Sequence, residues 1–77
     1  MSMTGTHRFT AMIHREGSAY VALCPELDVA SQGESVEQAA ANLREAVELF
    51  LETADPAEIE SRLTSEMYIT ALEVSAG

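Results

Sequence analysis

Three sets of side chains in this sequence are of the types that chemistry uses: one thiol, two imidazoles and a group of helical carboxylates. Cys24 is the thiol. A nucleophilic cysteine needs a depressed pKa and a neighbouring base, and Pro25 and Glu26 beside it supply neither. It reads as a small buried hydrophobe at a strand end. His7 and His14 are seven positions apart in one extended segment. Odd spacing in a strand sets them on opposite faces, so they do not converge on a metal. Glu45, Glu48 and Glu52 are spaced by three and four, which aligns them on one helix face. Helical bundles hold metals with Glu-x-x-His, and no His falls in this stretch. The three carboxylates read instead as a solvated or partner-facing surface. Gly33-Glu34-Ser35 lacks the glycine spacing of a phosphate-binding loop. No catalytic, cofactor or metal site emerges, and the residues point to binding rather than catalysis.

The charge balance narrows the partners. Thirteen Asp and Glu oppose four Arg, with no Lys, for a net charge of −9. Nucleic-acid binding and attachment to anionic membranes both require cations, of which this chain has few. Such acidity serves solubility, and it also complements a basic protein. With one cysteine no internal disulfide forms, which suits a reducing, cytoplasmic setting. Met1–Thr6 has no apolar core of a signal peptide, and no run approaches a membrane span. Seventy-seven residues make a single domain, 1–77, with 1–6 and 75–77 as disordered tails.

The elements that must position these residues follow from hydrophobic period. His7 to Arg15 alternates, with Phe9, Ala11 and Ile13 on one face and Arg8, Thr10, Met12 and His14 on the other. Glu16-Gly17 marks a tight turn and Ser18 to Cys24 a return strand. A two-residue turn there sets Ile13 opposite Tyr20 and Ala11 opposite Ala22; a bulged turn changes the register. Pro25 stops the ladder because it has no N–H. A short third strand covers Val29 to Gln32.

Ser35 with Gln38 three positions later forms a capping box. The apolar stripe of Val36, Ala39, Ala40, Leu43, Ala46, Val47 and Phe50 then specifies a helix ending near Thr53. Asp55-Pro56 starts a second, short helix over Ala57 to Leu63. Met67 to Val74 alternates again and is expected as a final strand. The fold class is α+β, in the order β-β-β-α-(short α)-β: a mostly antiparallel sheet with one long helix on one face.

The run from Phe9 to Phe50 resembles the N-terminal domain of the HicB antitoxin family. The resemblance lies in an aromatic-led strand, Phe9-Thr10-Ala11-Met12-Ile13, a turn at Glu16-Gly17, and Tyr20-Val21-Ala22-Leu23-Cys24-Pro25-Glu26-Leu27. It continues through Gln32-Gly33-Glu34-Ser35 into an Ala-rich acidic helix ending Glu45-Ala46-Val47-Glu48-Leu49-Phe50. It implies a degenerate ribonuclease-H-like fold and an antitoxin that occludes a small basic ribonuclease toxin. Many family members continue into a DNA-binding domain. This chain stops after the expected last strand, so direct DNA contact is not expected of it.

A ribonuclease H clusters carboxylates on its central strands to hold two metal ions. The first strand here has none before Glu16, so no enzyme is expected. Apolar residues on both strand faces exceed what one helix covers, so the chain is expected to pair with itself, as a dimer or a tetramer. Glu26, Glu45, Glu48 and Glu52 are the expected partner-binding residues. The alternative is an orphan oligomer, structural or with a small-molecule pocket between subunits and no toxin partner.

Overall fold

The computed structural model describes residues 7–77. The expected tail at 1–6 lies outside the described residues. Three strands, β1 (Met12–Glu16), β2 (Ala19–Cys24) and β3 (Val29–Gly33), form an antiparallel sheet in the order β1-β2-β3. Two helices follow, α1 (Val36–Thr53) and α2 (Pro56–Leu63). The fold is α+β, with the sheet packed against α1.

The hairpin turns one residue later than expected. Glu16 pairs with Ala19, leaving Gly17-Ser18 as the turn, and Ile13 faces Ala22 rather than Tyr20. Gly17 has φ +64°, so it takes the first central position, where a two-residue turn requires a glycine. The register therefore differs by two residues. Because side chains alternate with a period of two, a shift of two leaves every residue on its expected face.

Small residues let the helix approach the sheet closely. Ala22, Cys24 and Leu27 are fully buried, as is Ala39 on α1, with Leu43 and Val47 nearly so. Ala39, Leu43 and Val47 recur every four positions and form the buried stripe of α1. Val36, expected in that stripe, is 46% exposed because it lies at the first helical position, ahead of the sheet contact. Gly33 is fixed by the same closeness. A Cβ there would sit 2.6 Å from the Ala39 nitrogen.

Both helix starts match their sequence signals. The Ser35 hydroxyl accepts from the Gln38 N–H at 3.0 Å, and the Gln38 side chain accepts from Glu34 N–H, one residue before the cap. Asp55 accepts from Ala57 N–H at 3.0 Å with Pro56 at the first position. The helix α2 is latched to the body by Arg62. Its guanidinium donates to the Leu27 carbonyl, pairs with Glu58 at 2.8 Å, and lies 4.7 Å from the centre of the Phe50 ring. Ile59 is buried beneath it.

The sixth expected element does not form. Residues 65–77 carry no strand, and Tyr68, Ile69, Leu72 and Val74 are exposed, Tyr68 at 85% and Leu72 at 84%. Alternation says that a segment can lie on a sheet; it does not supply an edge to receive it. The first strand is also shorter than its alternation, starting at Met12 rather than His7.

Candidate protein-binding surface

The residues before β1 are held by side chains instead of a ladder. Extending the β1–β2 register would set Thr10 against Pro25, which has no N–H to give. Glu26 fills that gap. Its carboxylate accepts from the Thr10 N–H at 2.9 and 3.1 Å and from the Thr10 hydroxyl at 2.6 Å. The Cys24 thiol donates to the same carboxylate across 3.6 Å. Burial opposes ionisation of Glu26, but the Thr10 hydroxyl and the backbone N–H groups outweigh it and hold its carboxyl below the usual value of 4.5. Burial first, then the Glu26 charge, push the Cys24 thiol above its usual value. A buried thiol raised in this way is inert as a nucleophile.

Glu26 is thus half-buried and spent on an internal clamp, whereas Glu45, Glu48 and Glu52 are exposed on α1. Glu48 and Glu52 border an open groove of about 750 Å³, between the 8–11 segment and α1. Its apolar lining includes Phe9, Leu43, Val47 and Leu51, with Cys24 at its floor. Glu45 is not among its lining residues. Glu26 lies on the other side of Phe9, in a smaller cleft with Arg62 and Leu63. The structure therefore groups Glu48 and Glu52, with Glu45 beside them on the helix, and separates Glu26.

None of Glu45, Glu48 and Glu52 is in an ion pair with another described residue. Among the described residues Arg62 pairs with Glu58, and the His14 imidazole lies 3.4 Å from the Glu16 carboxylate. His14 belongs to the strand ladder and His7 precedes it, and both are exposed. Among the described residues no group of three His, Cys, Asp or Glu is placed to hold a metal ion. No described helix is long and apolar enough to cross a membrane.

Sequence reasoning missed the Thr10–Glu26 clamp, because sixteen positions separate the partners. A signal was present. Cys-Pro-Glu places a strand-ending proline beside a carboxylate that can replace the lost ladder bond. No family model matches the chain, and neither a curated protein nor a solved structure matches it.

Proposed function

We propose that this chain is a HicB-like antitoxin module, without enzymatic activity, that binds and occludes a small basic ribonuclease toxin. The observation carrying this reading is the exposed face of α1, where Glu45, Glu48 and Glu52 make no ion pair with another described residue. Such a face holds negative potential on a rigid element. It speeds encounter with a basic surface and fixes the orientation of docking. A ribonuclease binds RNA through cations, so the same carboxylates that dock the toxin would occupy its substrate site. Inhibition then needs no chemistry from the antitoxin.

The test begins with a tagged pull-down from the native cell at low salt. The expected catch is a small basic protein with ribonuclease activity, released at high salt and inhibited on adding the chain back. Reversing Glu45, Glu48 and Glu52 to Arg should slow association about tenfold or more and flatten its salt dependence. An uninhibited ribonuclease, or unchanged association rates, would overturn the reading. One observation favours a second reading. The groove beside Phe9 falls within the range of ligand pockets, about 300–1,000 Å³. A compound whose concentration raises the melting temperature, with competition by Leu43→Trp, would support it.

A further inference from the structure

We propose that the C-terminal segment Met67–Val74 of one protomer adds as a strand to the open β1 edge of a second copy, and that the exchange is reciprocal. This inference uses neither the α1 carboxylates nor a toxin. It starts from two surfaces that the fold leaves unsatisfied in the same molecule.

The first is the edge. In a two-residue hairpin the closing pair, here Glu16 and Ala19, exchanges both hydrogen bonds, and the pattern alternates along the strands. Met12 and His14 therefore direct their backbone groups at β2, as Thr10 directs its N–H at Glu26. Those of Ala11, Ile13 and Arg15 face away from the sheet. The opposite edge is not equivalent, because the Asn42 side chain donates to the Gln32 carbonyl of β3 at 2.8 Å. An uncovered edge is a template for another strand, and an apolar groove lies beside the 8–11 segment that leads into it.

The second is the segment. Met67, Tyr68, Ile69, Leu72 and Val74 are all exposed; in an extended segment Tyr68, Leu72 and Val74 share one face and Met67 and Ile69 the other. Met67–Val74 is long enough to span the five residues of β1. Charge is complementary as well. Arg15 lies in β1 and Arg8 seven positions earlier, in the segment that leads into it; Glu66, just before Met67, and Glu73, within the added segment, have the same spacing. Where the 8–11 segment continues the line of β1, either strand direction sets both carboxylates opposite both guanidinium groups. The added strand then places alternate side chains over the groove of Phe9, Leu43, Val47 and Leu51. Within one copy the segment leaves the body and the edge stays open. Two copies related by a two-fold axis satisfy both edges at once and close the assembly.

The experiment is light scattering with the full chain, together with its dissociation constant from sedimentation. The expected state is a dimer of twice 8.3 kDa. Arg8→Glu with Arg15→Glu, or Glu66→Arg with Glu73→Arg, should each weaken the dimer about tenfold or more; all four together should restore most of it. The Glu66 and Glu73 changes lie in an exposed segment, so this variant keeps its fold and carries the test alone if the edge variant unfolds. A monomer at micromolar concentration, or a dimer indifferent to both reversals, overturns the proposal. So does a monomer with exchange-protected amides over 68–73, which would place the strand on its own edge.

Discussion

Replacing Gly33 by Ala should pry the helix from the sheet. The new Cβ would lie 2.6 Å from the Ala39 nitrogen, 2.8 Å from the Gln38 carbonyl carbon and 3.0 Å from the Ala39 Cα. All three are backbone atoms in the first turns of α1, so no side chain can rotate away. Moving from 2.6 Å to an ordinary contact near 3.4 Å requires a shift of about 0.8 Å at the start of the helix. That shift opens the contact around Ala39, which is fully buried, and strains the Ser35 cap on which Gln38 depends. Overpacking of this kind costs about 1–3 kcal/mol. At about 4–8 °C per kcal/mol for a domain of this size, the melting temperature should fall by roughly 10 °C. Thermal unfolding followed by circular dichroism measures it. Gly17→Ala is the control. It has open space around the Cβ but φ of +64°, and should cost only about 1 kcal/mol through the left-handed backbone. If Gly33→Ala melts within about 2 °C of the parent, the closeness of α1 to β3 is not what fixes Gly33.

The Glu26 clamp should be visible in acid. A carboxyl held below its unfolded value contributes stability that is fully present above that value and is lost as pH falls through the folded one. Urea unfolding of the parent and Glu26→Gln should therefore differ near neutral pH and converge as the pH falls below the usual carboxyl value and through the lowered one; a gap independent of pH would assign the effect to packing. Cys24 should resist alkylation in the native state and react freely in denaturant, because the thiol is both buried and raised. Equal rates in the two conditions would show that the floor of the groove is open to solvent.

The parts of this fold that were readable in advance are those whose signal and effect lie close in sequence. Ser35 and Gln38 mark a helix start three residues wide, and Asp55-Pro56 marks another. Gly17 and Pro25 bound a hairpin through their own backbone chemistry. The fold class follows from these local signals. The β1–β2 register does not, because Gly17 can serve either position of a tight turn. Of the four carboxylates expected at a binding surface, three are exposed on α1 because helical spacing alone sets their face. The fourth, Glu26, is drawn inward by Thr10, a partner that no local pattern names. The Met67–Val74 alternation is real as a pattern, but no strand of the described sheet receives it.

The attachment of α2 has a consequence for how the molecule opens. Ala54 and Asp55 form a two-residue joint, and beyond it the chain is secured to the body by the buried Ile59, by Leu63 against the core, and by Arg62 on the Leu27 carbonyl and Phe50. The sheet and α1, by contrast, share a continuous core. Having fewer buried contacts than the sheet and α1, residues from Pro56 onward are expected to open before the hairpin and long helix do. A protease or chaperone would meet this carboxyl-terminal third first, and its release would leave Phe50 and Leu27 newly accessible without global unfolding.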